Sequence, residues 1–176
     1  MGLVTLPPGI SGIRAPLTAY PDTSGPLLAL AQAVLRGSSS LSEGERELLA
    51  TAVSVENGCW FCARSHGSAA RVLLGPDAGW IDAVLDGKTP PGLPAKLASL
   101  TDLARAVARS CHGATADLEA VCRRAGASDR DLHDTVLVAG AFSLFNRYVD
   151  GLGAPEPVDP AEYGPMGERL ARAGYR

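Results

Sequence analysis

Two cysteines, a histidine and a glutamate crowd one short stretch of this chain. Trp60 and Phe61 separate Cys59 from Cys62, three residues separate Cys62 from His66, and eleven separate Glu47 from Cys59. On a helix turning about 100° per residue, Cys62 falls about 60° and His66 about 20° behind Cys59, so the three side chains share one narrow face. Cys62 and His66, four positions apart, stand on consecutive turns, where imidazole and sulfur can approach each other. Gly58 breaks the chain just before Cys59. Cys59 therefore sits at a helix start, where unpaired N–H groups and the helix dipole favour thiolate over thiol. A thiol of lowered pKa beside a base is the chemistry of a nucleophilic cysteine. Glu47 belongs to the preceding helix. Its carboxylate can face the thiols and accept a proton if the two helices pack as a corner.

Other readings of the same residues stay open at this point. Cys59, Cys62 and His66 are three possible zinc ligands, but a structural site wants a fourth. Two cysteines can also be inert core residues. Cys111 and Cys122 have no close companion and read as incidental. His133 reads as a surface or interface residue, and Glu45 is accounted for as a capping residue. Trp60 and Phe61 either wall an apolar pocket or simply pack.

The elements that must hold these residues are helical throughout. Apolar positions recur at spacings of three and four, and few segments alternate. Leu27 to Leu35 form a stripe stopped by Gly37. Ser42 and Glu45 form a capping box opening a helix that Asn57-Gly58 ends. A second helix runs from near Cys59 to about Leu74, and a short one from Asp77 to Leu85. Pro94 opens a helix to about Ser110. Thr115 caps a helix to Arg124, and Ser128 caps a long one over 129–149, with Asp131 as a weaker box partner. That long helix is apolar nearly all round, so it must be buried on more than one side. A short helix is expected around Met166 to Ala173.

The chain has 176 residues, the size of one domain. With 46% hydrophobic and 20% charged residues it can bury a sizeable core. The formal charge of -3 offers no basic footprint for nucleic acid and no polybasic patch for an anionic membrane. No apolar run approaches the roughly 18 residues of a membrane span. The N-terminus lacks the pattern of a secretory signal, so a soluble cytoplasmic protein is expected. In a reducing compartment a close Cys-x-x-Cys pair is redox-active or metal-binding more often than structural.

The pattern Glu47, Cys59, Cys62, His66 resembles the AhpD-like alkylhydroperoxidase branch of the carboxymuconolactone decarboxylase family. Leu41 to Ala50 resembles the family's helix before the redox motif. Asn146-Arg147-Tyr148-Val149-Asp150-Gly151-Leu152-Gly153 resembles the ending of its peroxidase-related subgroup. The resemblance implies an all-α fold, an AhpD-like orthogonal bundle of about six to eight helices. It would cover 16–153, after an N-terminal extension over 1–15 and before a tail over 154–176 that packs on a neighbouring subunit. It also implies thiol-dependent peroxide reduction without bound cofactor or metal. Cys62 would be the peroxidatic cysteine and Cys59 the resolving one, with His66 and Glu47 relaying protons. The implied partners are a hydroperoxide and an external dithiol or thiol-protein reductant. Well-studied peroxidase members carry a relay histidine just before the second cysteine; this chain has Phe61. The alternatives are a decarboxylase-like enzyme acting on a small carboxylate or lactone, and a non-enzymatic redox-responsive oligomer. The helical stripes offer more apolar faces than one small core consumes, so a homo-oligomer is expected, by resemblance a trimer or hexamer.

Overall fold

A computed structural model describes residues 3–110, 112 and 114–175. Nine α-helices and no strand occur among them: α1 (Arg14–Ala19), α2 (Pro21–Arg36), α3 (Glu43–Glu56), α4 (Trp60–Leu74), α5 (Trp80–Leu85), α6 (Ala95–Arg109), α7 (Ala116–Arg124), α8 (Asp129–Gly151) and α9 (Tyr163–Ala173). The fold is the all-α bundle of the AhpD-like type. A 3₁₀ turn over Gly75–Gly79 occupies the first half of the helix expected from Asp77. Helix α1, six residues long, was not anticipated; it is too short for a periodic stripe.

Helix α3 is the centre of the bundle. Ten of its residues are buried, among them Leu48, Leu49 and Val53, against Leu97 and Leu100 of α6 and Val138 and Phe142 of α8. It starts where the chain says it should. Ser42 Oγ accepts from the Glu45 amide at 3.2 Å, and Glu45 Oε2 accepts from the Ser42 amide at 2.7 Å. Asp131 completes an equally full box with Ser128 at the start of α8. It also accepts from Ser40 Oγ at 2.9 Å and pairs with Lys96 Nζ at 3.3 Å, fastening α8 to the α2–α3 loop and to α6.

The α3–α4 pair is the most extensively packed in the molecule, and α9 lies on the other side of α4. The link between α3 and α4 is short: Gly58 takes φ +74°, and the Cys59 amide donates to Ser54 O at 2.9 Å. Two helices folded back about so tight a turn bring residues at similar distances from it side by side. Glu47 stands ten residues before Asn57 and His66 nine after it. At about 1.5 Å of rise per residue the two meet at nearly the same level.

The tail packs within the chain: Met166, Gly167 and Leu170 of α9 lie against α4 and the core. Gly167 makes this possible, since a Cβ there would fall 2.5 Å from the Ser68 side chain. The sequence reading missed the apolar face of α9 because only Tyr163, Met166, Leu170 and Tyr175 supply it. The segment before residue 16 is also part of the fold. The Gly12 amide donates to Pro155 O at 2.7 Å, and Ile13 packs on the core.

Candidate active site

Glu47 is wholly buried, yet every lone-pair direction that matters is occupied. Its Oε2 accepts from His66 Nδ1 at 2.7 Å. Its Oε1 accepts from Arg36 Nη2 at 2.5 Å and from the Tyr175 hydroxyl at 2.6 Å. Burial by itself would push this carboxyl up; the charge and hydrogen bond of His66, the Arg36 guanidinium and the Tyr175 hydroxyl outweigh it and hold the group below its ordinary value. An ionised Glu47 at Nδ1 fixes the tautomer of His66: Nδ1 carries hydrogen, and Nε2 is left to exchange a proton.

The imidazole is held on all sides. Its ring stacks on Tyr175 at a centroid separation of 5.9 Å and 13° between planes, and it meets the edge of Phe142 at 4.5 Å and 89°. The Tyr175 hydroxyl lies 3.1 Å from Nδ1, and its backbone amide donates to Gln32 Oε1 at 2.8 Å. The Arg36 guanidinium sits 5.2 Å over the same tyrosine ring. Burial first, then the Glu47 carboxylate, pushes the Tyr175 phenol well above its ordinary value, so it remains a donor.

Cys59 caps α4 and Cys62 lies in its first turn; both sulfurs are buried. The two thiols are unequal. The Cys59 thiol donates to Cys62, and this is the largest influence lowering Cys62; burial opposes it, and His66 and the Asn146 amide add to the lowering. The same hydrogen bond, with burial, pushes Cys59 up. This reverses the expectation that the helix start favours thiolate at Cys59. Both cysteines lie in one buried cluster with Phe61, Val149 and Tyr163, but only Cys62, one turn in, also lines the chamber that His66 lines. Asn146 of α8 is itself held, donating to Ser54 Oγ at 3.1 Å and accepting from Asn57 Nδ2 at 2.9 Å.

A cavity leads from solvent to this centre. Its inner chamber, about 50 Å³, touches Cys62, His66, Phe61, Phe142 and Tyr175. An outer vestibule of about 270 Å³ is walled by Ile13, Leu17, Leu28 and Phe61, with Arg14 and Arg169 also lining it. Phe61 is thus a pocket wall, fitted beneath Gly12, where a Cβ would fall 1.8 Å from its ring at a φ of +59°. Trp60 is not a wall. It is 45% exposed, with the Arg64 guanidinium 5.9 Å from its ring.

All four residues singled out in the sequence, Glu47, Cys59, Cys62 and His66, converge in the structure. Arg36, Tyr175, Asn146 and Phe142 complete the site without having been singled out as site residues. Cys122 is a core residue whose thiol donates to Ser99 O at 3.4 Å. His133 is largely exposed beside Asp134. Glu45 serves the α3 cap, and Cys111 lies outside the described residues. Among the described residues no group of three or more His, Cys, Asp or Glu is placed to hold a metal ion.

A helical bundle that brings a Cys-x-x-Cys turn under a buried histidine–glutamate pair defines the class of protein. Residues 21–90, which hold all four motif residues, match the model of the carboxymuconolactone decarboxylase family. The matched stretch is similar to that family and spans less than half of the chain. A solved peroxidase-related protein of uncharacterised function from Silicibacter sp. TM1040 is 28% identical, with a TM-score of 0.73 over 85% of this chain and 78% of that one. Two others share the fold. One, an uncharacterised peroxidase-related protein with an alkylhydroperoxidase AhpD core, is from Ralstonia eutropha JMP134; it is 24% identical with a TM-score of 0.78, covering 90% of this chain and 81% of its own. The other, a protein of unknown function from Agrobacterium tumefaciens provisionally assigned to AhpD antioxidant defence, is 24% identical with a TM-score of 0.72, covering 85% of this chain and 100% of its own. No curated protein matches the chain significantly.

Proposed function

We propose that this chain is a thiol-dependent peroxidase that reduces hydroperoxides through a Cys59/Cys62 dithiol–disulfide cycle. The observation that carries the reading is the 2.7 Å bond between buried Glu47 and His66 Nδ1 beside Cys62 at the end of a cavity. His66 Nε2 takes the Cys62 proton, and Glu47 stabilises the imidazolium. The thiolate attacks the terminal oxygen of the hydroperoxide; the O–O bond breaks, and the leaving alkoxide takes the proton from His66 to depart as alcohol. Cys62 is left as sulfenic acid. Cys59 then attacks the Cys62 sulfur, the S–O bond breaks, and the Cys59 proton leaves with hydroxide as water. An external dithiol returns two electrons and two protons to the disulfide.

The names of the peroxidase-related and AhpD-type neighbours support the same chemistry. Hydroperoxide consumption with a dithiol donor is the test. Wild type should turn over repeatedly, Cys62→Ser should not, and peptide mapping after mild peroxide should find Cys59 joined to Cys62. Thiols that survive peroxide unchanged would exclude this cycle and favour a decarboxylase-like activity.

A further inference from the structure

We infer that the cavity takes an elongated amphipathic substrate with a carboxylate at one end, held by Arg14 and Arg169 at the outer vestibule while its other end reaches Cys62. The inference deepens the peroxidase reading, under which the substrate is a hydroperoxide carrying a carboxylate remote from its O–O bond. Recognition of the carboxylate itself needs no turnover.

Three observations converge on it. The first is shape. The inner chamber and outer vestibule share Ile13, Leu17, Leu28, Phe61, His66 and Tyr175, so they form one passage. At roughly 30 Å³ per water-sized group, a 270 Å³ vestibule holds on the order of nine such groups. That is far more than hydrogen peroxide requires, and it suits a medium-length chain.

The second is lining. Between the sulfur and the rim the walls are mostly aliphatic and aromatic, with Thr18, Ser24 and Ser65 among them; they reward a hydrocarbon and offer an anion no cationic partner between His66 and the rim arginines. A charge is tolerated only at the ends.

The third is charge. Arg14 comes from α1 and Arg169 from α9, elements that are distant in sequence and are brought together at this vestibule. Neither is within 4.0 Å of a carboxylate among the described residues. Glu162 lines the adjoining outer recess with both arginines and pairs with neither. Most other arginines here, including Arg36, Arg64, Arg71, Arg123 and Arg130, pair with an acid. Two unpaired guanidinium groups on an otherwise acidic molecule, aimed at the open end of an apolar passage, are a carboxylate site.

The test uses octanoate and 1-octanol as probes, with protection of Cys62 from iodoacetamide as the readout. Octanoate should protect, with an apparent affinity about fivefold to tenfold better than octanol, as two partly exposed ion pairs allow. That preference should shrink as salt rises. Arg14→Gln and Arg169→Gln should each reduce it, and together they should abolish it. Both positions are exposed, and the salt titration of wild type reads the same preference if a variant misfolds. Equal protection by the two probes, protection by neither, or a preference that survives both substitutions would overturn the inference. Failure of hydroperoxide turnover with the octanoate preference intact would instead refute the peroxidase reading and leave the carboxylate site standing.

Discussion

Glu47 is the residue on which the rest of the site leans. A buried carboxylate costs several kcal/mol unless its oxygens are well partnered, and here three donors from three different elements converge on it. Its pKa in the folded chain lies below the unfolded value of about 4.3. Its ionised form therefore adds stability above that unfolded value, and the contribution is lost as pH falls through the lower folded value. Glu47→Gln should destabilise the protein by about 3 kcal/mol at pH 7, because it removes the buried carboxylate paired with Arg36, and by less at pH 3; urea unfolding at the two pH values measures it. The same substitution removes the carboxylate that accepts from His66 Nδ1, so thiolate at Cys62 is less well supported. The pH midpoint of Cys62 alkylation should lie below the ordinary thiol value of about 8.5 in wild type and move up in Glu47→Gln and His66→Ala. Wild-type alkylation profiles in both variants would show that the cluster only packs. Tyr175→Phe keeps the stacked ring and removes one hydrogen bond to a carboxylate. It should cost about 2 kcal/mol in urea unfolding, and the midpoint of Cys62 alkylation should shift with it.

At the scale of elements, the helical hairpin of α3 and α4 brings Glu47 and His66 together, and α9 packs on α4 beside them. Cys59, Phe61, Cys62, Val149 and Tyr163 form one small buried cluster, with Ile13, Ala154 and Met166 packed against it. Removing the chain from Tyr163 onward should therefore uncover Cys59. Its alkylation, slow in wild type, should rise at least tenfold while the far-UV circular dichroism keeps its helical form; unchanged reactivity would mean that α9 does not seal the sulfur. The N-terminal segment is held from the opposite side. Gly12→Ala would place a methyl group inside the Phe61 ring and impose a positive φ on alanine. A loss of about 1–3 kcal/mol is expected, with Phe61 displaced from the pocket wall.

At the scale of the molecule, α8 leaves unfinished business. Val136, Leu137 and Leu144 are 40%, 41% and 45% exposed, and with Leu30 and Gly140 they line an open apolar groove. One side of this helix packs on α3 and α6, and the other is bare. We propose that a second copy covers it in a closed homo-oligomer, with a trimer or hexamer the expected size. Light scattering at micromolar concentration should find the oligomer, and Leu137→Glu with Leu144→Glu should shift it to monomer. A monodisperse wild-type monomer would end the proposal.

What the chain settles by itself is local. Helix starts at Ser42, Thr115 and Ser128 were legible because a capping side chain bonds an amide three residues away. The alignment of Cys59, Cys62 and His66 followed from helical spacing, and the approach of Glu47 only needed a short turn. Tertiary structure decided everything that depends on distant segments meeting. Tyr175 reaches His66 across 109 residues of sequence, from a tail whose Pro and Gly content hides its apolar face. Arg36 ends its own helix as an ordinary basic residue until α3 brings Glu47 against it. The choice between the two sulfurs was also tertiary. Helix position alone favours the cap residue, but the hydrogen bond with Cys62 and burial push Cys59 up, while His66 and Asn146 come to Cys62. A backbone hydrogen bond or a helical stripe is written within a few residues, whereas burial, field and partner at a buried atom are sums over whichever surfaces pack there.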